Sequence, residues 1–253
     1  MVIRDIILFI NLGRFINWRG INLKTIGLIG GMSWESTVSY YQIVNTTIKE
    51  ELGGLHSAKC LLYSVDFHEI EECQSRGAWD KSEQILSDAA QRLERAGADF
   101  IIICTNTMHK VADKVQTKIK IPILHIAEAT ADELVKNKIK KVALLGTKYT
   151  MEQDFYKCKL IDKGIDVIVP SYEERLIINN TIYNELCLGV ISSQSKHSFL
   201  KIINRLVGED VEGIILGCTE IGLLIKQEDT KIPLFDTAII HAKKAALYSI
   251  NKG

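Results

Sequence analysis

Two stretches of the chain end an apolar run in groups able to move protons. Gly213-Ile214-Ile215-Leu216-Gly217 gives way to Cys218-Thr219-Glu220, a thiol, a hydroxyl and a carboxylate in succession. Phe100-Ile101-Ile102-Ile103-Cys104 gives way to Thr105-Asn106-Thr107. Apolar runs of this length read as central strands of a parallel sheet, and in such sheets ligands bind beyond the carboxyl ends of the strands. A thiolate is the most accessible base in these stretches: free cysteine has a pKa of about 8.5, which a positive neighbour or a helix N-terminus lowers. Cys218 precedes an expected helix start, so backbone N–H groups would favour its charged form and could also bind a substrate carboxylate. Glu220 can orient or deprotonate the thiol, yet its own charge raises the thiol pKa. The alternative is that Cys218 packs as a small buried hydrophobe.

The elements that must position these groups occur twice. From Lys24 onwards, apolar runs of strand length alternate with amphipathic stretches of helix length, the pattern of a parallel α/β fold. Thr25 to Ile29 predicts the first strand, Ser33 a cap and Trp34 to Glu51 a helix; Cys60 to Val65, Phe100 to Cys104 and Ile121 to Leu124 follow as strands, with a helix over Asp80 to Ala96. Lys141 to Gly146 then answers Lys24 to Gly30, Gly213 to Glu220 answers Phe100 to Thr107, and Ile232 to Phe235 answers Ile121 to Leu124. The separations agree: 74 residues from Gly30 to Cys104 against 71 from Gly146 to Gly217, and 18 from Cys104 to Pro122 against 16 from Gly217 to Pro233. A repeat this long implies paired domains rather than a solenoid. Superposed, Thr105 falls on Cys218. Two halves facing each other about a pseudo-twofold axis would bring these side chains to opposite walls of one cleft, an arrangement suited to proton transfer on both faces of one carbon.

Totals narrow the partners. Lysine plus arginine and aspartate plus glutamate each number 31, so no global field favours nucleic acid or an anionic membrane, and a small-molecule ligand is expected. The six cysteines include no C-x-x-C pair, which argues against a zinc site, and they read as reduced thiols in a cytoplasmic setting. Within residues 1–23 the apolar run Ile6 to Ile10 is far shorter than the roughly 20 residues of a spanning helix and has no cleavage site of the secretory kind. These residues are expected to form an extension outside the fold.

Taken in order, Gly30-Gly31-Met32-Ser33-Trp34-Glu35-Ser36-Thr37, Thr105-Asn106-Thr107-Met108-His109, Leu145-Gly146-Thr147-Lys148-Tyr149-Thr150-Met151-Glu152 and Gly217-Cys218-Thr219-Glu220 resemble the aspartate/glutamate racemase family. Residues 54–73 and 187–189 are most similar to its branch of L-aspartate/glutamate-specific and broad-specificity amino-acid racemases. The resemblance implies a cofactor-independent racemase with two α/β domains, a cleft between them, a homodimeric assembly, and a last strand, Ile232 to Phe235, that crosses back to the first domain. The expected division is residues 24–119 plus 230–253, and residues 120–229.

On this reading Cys218 is the main acid/base and Thr105 serves the opposite face. Many family members carry cysteine where this chain has Thr105. Cys104 lies one residue earlier and, by strand alternation, points into the sheet unless the strand end bulges. Met32 is expected in the cleft wall, and Asn106, Thr107, Thr219 and Glu220 at the substrate. Thr147 and Thr150 are candidate ligands or simple turn residues. His109 is expected to cap or pack on its helix, His68 to lie on a solvated face, and Arg175 to meet a side-chain carboxylate or remain exposed. Two other readings stay open: a racemase-like amino-acid-binding protein without turnover, motivated by Thr105, and a related hydantoin racemase or maleate isomerase.

Overall fold

A computed structural model describes residues 22–250. The extension expected over residues 1–23 therefore falls almost wholly outside the described residues; its last member, Leu23, is buried in the first core. The first run of elements is β1 (Ile26–Gly30), α1 (Trp34–Leu52), β2 (Cys60–Ser64), α2 (Phe67–Ser75), α3 (Trp79–Arg95), β3 (Phe100–Ile103), a 3-10 turn (Thr107–Val111), α4 (Ala112–Gln116) and β4 (Ile123–Leu124). The second is α5 (Ile126–Lys136), β5 (Lys141–Gly146), α6 (Lys148–Glu152), α7 (Asp154–Ile161), β6 (Asp166–Ile168), α8 (Tyr172–Asn184), a 3-10 turn (Leu186–Leu188), α9 (Ser193–Val207), β7 (Gly213–Gly217), α10 (Ile221–Leu224), β8 (Leu234–Asp236) and α11 (Thr237–Ile250).

The elements build two parallel four-stranded sheets of identical order, β2-β1-β3-β4 and β6-β5-β7-β8, each flanked by helices. The central strands β1, β3 and β7 are buried along their whole length, which is why they read as unbroken apolar runs rather than alternating ones. The repeat holds at the level of register: Ile29 pairs with Ile103 in one sheet and Gly146 with Gly217 in the other, so Thr105 and Cys218 leave equivalent strand ends. Close approach at that end requires glycine. A Cβ on Gly146 would lie 2.8 Å from the Gly217 carbonyl oxygen, so a side chain there would drive β5 and β7 apart just before Cys218.

The chain passes between the sheets one element later than the resemblance implied. The last strand does not cross back: Leu234–Asp236 pairs with β7 and extends the second sheet, as Ile123–Leu124 pairs with β3 and extends the first. The helices make the crossing instead. α5 packs on the second sheet through Ile126, Ala127, Ala131 and Leu134. α11 returns to the first through Ala238, Ala242, Ala245 and Ala246, against Tyr40 and Val44 of α1. Small alanines let α11 lie close to α1.

Three buried histidines grip the first crossing. His241 of α11 donates from Nε2 to the Leu124 carbonyl (2.8 Å) and accepts at Nδ1 from the Tyr40 hydroxyl (3.0 Å). His109 accepts at Nε2 from the Ile126 amide (3.1 Å), and His125 caps α5 by accepting at Nδ1 from Ala127 (3.2 Å). Each ring thus keeps one nitrogen unprotonated. Burial pushes His125 and His241 down to about 3, helped by Lys159 and His241 for His125 and by His109 for His241; burial and His125 push His109 well down too. The folded-state values lie below the ordinary 6.5, so the unfolded chain binds more protons in acid. The stabilisation is complete above about pH 6.5 and is lost as the pH falls towards about 3. Thermal melting between about pH 7 and about pH 5 is expected to give a Tm that falls steadily as the pH drops. A Tm constant over that interval would contradict the neutral cluster.

Candidate active site

The carboxyl ends of the two sheets face each other, and one buried carboxylate joins them. Glu220, 2% exposed, follows β7 and turns its side chain towards the first half. Its Oε1 accepts from the Ser33 hydroxyl (2.8 Å) and the Ser33 amide (3.3 Å); its Oε2 accepts from the Cys218 thiol and the Thr219 hydroxyl (2.9 Å each). Ser33 is also the N-cap of α1, so the carboxylate bonds to the residue that starts that helix. A related bond runs the other way. Thr107, at the position equivalent to Glu220, meets the Thr147 hydroxyl (2.9 Å), and Thr147 is the N-cap of α6. Each half thus ties the residue two beyond Thr105 or Cys218 to the cap of the helix that follows the first strand of the other.

Between these ties lies a cavity of about 20 Å³, room for one water. Thr105 and Cys218 both line it, together with Met32, Asn106, Thr107, Thr147 and Glu220. The structure brings those seven together. Thr150 and Thr219 are not in the lining. Thr150 is fully buried and supports Thr147 from below (3.3 Å between hydroxyls), and Thr219 turns to the far side of Glu220, onto a separate crevice. Cys104 points away from the cavity, fully buried in the core between α1, α11 and the sheet. A tight turn in which the Thr105 amide donates to the Ile103 carbonyl (2.9 Å) ends β3 and presents Thr105 to the cavity. Arg175 lies outside the cavity, bonded to Glu152 (2.9 Å) and to the Pro170 carbonyl (2.8 Å).

The thiol does not have the electropositive setting expected from the sequence. α10 is a single turn, too short to contribute a useful macrodipole, and Cys218 is 7% exposed. Burial first, then the Glu220 carboxylate and Cys187, push its pKa well above the ordinary thiol value; a backbone bond from Glu220 opposes this only weakly. The protein alone therefore holds Cys218 as a thiol that donates to Glu220.

Asn106, 2% exposed, has a fixed amide orientation. The Thr237 hydroxyl donates to the Leu216 carbonyl (2.9 Å) and must accept from Asn106, so Nδ2 faces Thr237 (2.9 Å). Oδ1 is then left without a partner among the described residues, in a side chain that lines the cavity. A buried unpaired acceptor is costly, and a ligand ammonium would satisfy it.

Sequence reasoning missed much of the opposite wall: Phe67, Gln74, Ile182, Tyr183 and Cys187. Gln74 is a second clasp, its side-chain oxygen accepting from the Tyr183 hydroxyl (3.0 Å) and its carbonyl from the Tyr149 hydroxyl (2.9 Å). Among the described residues its Nε2 meets the Met108 sulfur (3.1 Å), a weak acceptor. No lysine or arginine stands among the described residues that line the cavity. The similarity of residues 54–73 and 187–189 to one racemase branch was the one signal near these positions.

Comparison with known proteins agrees with this architecture. Residues 29–245 match the family described as Asp/Glu/Hydantoin racemase. A candidate Asp/Glu racemase from Yersinia pestis, known from its crystal structure, is 53% identical, with 90% of this chain and all of that one covered and a TM-score of 0.84. An aspartate racemase homologue from Pyrococcus horikoshii is 39% identical over 90% of this chain and all of its own, with a TM-score of 0.78. The broad specificity amino-acid racemase RacX of Bacillus subtilis is 26% identical over 65% of this chain and 70% of its own length. With two matching parallel sheets, a thiol and a hydroxyl at equivalent strand ends, and this breadth of similarity, the chain belongs to the Asp/Glu/hydantoin racemase family of isomerases.

Proposed function

We propose that the protein interconverts the L and D enantiomers of aspartate and glutamate without a cofactor, Cys218 and Thr105 exchanging protons on opposite faces of the α-carbon. The observation that carries this reading is that the two side chains, issuing from equivalent ends of β3 and β7, line one cavity. The absence of lysine and arginine from its described lining extends the proposed range to neutral amino acids. The same reading keeps two domains but moves the expected bounds at 119/120 and 229/230 past β4 and β8, which stay with the sheets they extend. It also includes the homodimer implied by the family and the cytoplasmic setting read from the reduced cysteines. Among the described residues no helix is long and apolar enough to cross a membrane.

A cavity of about 20 Å³ is too small for an amino acid, so the halves separate to admit substrate. Closure then sets the α-ammonium on Asn106 Oδ1 and the α-carboxylate against the Thr107 and Thr147 hydroxyls. The ammonium brings the positive charge that the protein does not supply, which lowers the thiol pKa. The thiol proton passes along its bond to Glu220 Oε2, the thiolate takes the α-proton, and the developing carbanion charge spreads onto the bound carboxylate. A proton returns to the other face from the Thr105 hydroxyl, directly or through one water, and the proton held by Glu220 passes through solvent to Thr105 as the cleft opens, restoring both groups. The reverse reaction retraces these steps, and no oxidant or reductant is needed.

Exchange in D₂O tests this. The protein is expected to wash α-hydrogen out of aspartate or glutamate, and Cys218→Ala to lower the rate by about 10²–10⁴-fold. No washout from any amino acid would leave an amino-acid-binding protein, and turnover confined to hydantoins or maleate would move the activity to those substrates.

The raised thiol pKa sets the pH dependence. Cys218 is protonated at neutral pH and passes its proton to Glu220 rather than to solvent, so the pair neither gains nor loses a proton before it reacts. The quantity kcat/KM, equal for the two enantiomers because they are equally stable, is expected to stay flat through neutrality. A rise of about tenfold per pH unit from about pH 7 to about pH 8 would mean that the thiol must first lose its proton to solvent, and would contradict the transfer to Glu220.

A further inference from the structure

We propose that His109 is a positioning residue for the Thr105 face of the reaction, fixing where that hydroxyl stands by tying its backbone to the crossing between the two sheets. This rests on the two-sided exchange described above. Threonine has one stiff side-chain torsion, so the backbone determines where its hydroxyl lies. Both backbone groups of Thr105 are engaged: the amide donates to the Ile103 carbonyl (2.9 Å), and the carbonyl accepts from His109 Nδ1 (2.8 Å). A carbonyl only accepts, so Nδ1 carries the proton and Nε2 is free to accept from the Ile126 amide (3.1 Å). The imidazole is 2% exposed and does not line the cavity, so it touches no substrate.

Its other partner explains why a histidine serves here. Ile126 begins α5, the helix that carries the chain from the first sheet to the second. The crossing segment is held from both sides, by His109 at the Ile126 amide and by His241 at the Leu124 carbonyl. The ring centroids of His125 and His241 stand 4.5 Å and 5.7 Å from that of His109, both edge-on. A separation of the halves must bend the chain at this crossing, and the same ring transmits the bend to Thr105. The Cys218 carbonyl is tied only locally, accepting from the Ile221 amide (3.1 Å) rather than from a side chain of the crossing.

Two amide substitutions separate the two bonds. Asparagine places a donor nitrogen where Nδ1 stands and keeps the bond to Thr105; glutamine places an acceptor where Nε2 stands and keeps only the bond to Ile126. In the full chain, turnover and α-deuterium washout are measured for both enantiomers of aspartate and glutamate and referred to the folded fraction at a temperature below each melting point. For His109→Gln, kcat for racemisation is expected to fall about 10- to 100-fold with KM within about threefold, and washout of the enantiomer whose α-hydrogen faces Cys218 to stay within about threefold of the parent. His109→Asn is expected to retain most of the turnover. Equal losses in the two variants, or washout lost on both faces together, would make His109 a packing residue and overturn the proposal. Absence of washout in the unsubstituted protein would remove the racemase reading and this role with it.

Discussion

The Glu220 carboxylate is the constraint on which the rest of the site depends. It is buried, and its four donors come from both halves: the Ser33 amide and hydroxyl on one side, the Cys218 thiol and the Thr219 hydroxyl on the other. Depriving a buried acceptor of its donors costs about 1–3 kcal/mol, and more for a charged one, so this one resists any motion that separates Ser33 from Cys218. With burial, the same group raises the thiol pKa. On the proposed mechanism, closure of the cleft and the dormancy of the acid/base would share this one cause.

Duplication supplies the geometry, and departures from it supply the chemistry. Equivalent strand ends deliver Thr105, Asn106 and Thr107 from one half and Cys218, Thr219 and Glu220 from the other, and both third residues reach a helix cap across the cleft. The second half presents a thiol and a carboxylate; the first presents hydroxyls and an amide with one unpaired acceptor. On the proposed reading one wall takes a proton, and the other holds an ammonium and returns a proton. The exchange of α5 and α11 between the sheets puts both crossings behind the cavity, where the histidines cluster.

What the sequence discloses follows from how locally each feature is encoded. The strands, their order within each repeat and the equivalence of Thr105 with Cys218 were legible because buried parallel strands are written as short apolar runs and the spacing recurs. The place where the last strand sits was not: an apolar strand reads alike in either sheet, and only the packing of the alanine face of α11 on α1 decides the crossing. The thiol environment departs from the expectation because a single turn forms where a helix start is expected and because burial, ahead of the Glu220 carboxylate, pushes the thiol up. Gln74, Tyr183 and Cys187 reach the cavity from α2, α8 and a short turn, placed there by tertiary packing that no spacing records. Thr150 and Thr219 share motifs with cavity residues yet support them from behind.

The central claim is that one α-carbon lies between Thr105 and residue 218. A crystal structure of Cys218→Ser with L-aspartate or L-glutamate bound tests it most directly. The account predicts the α-carbon between the serine hydroxyl and the Thr105 hydroxyl, one on each face, with the ammonium on Asn106 Oδ1. A ligand bound elsewhere, or with both hydroxyls on the same face of that carbon, would contradict it.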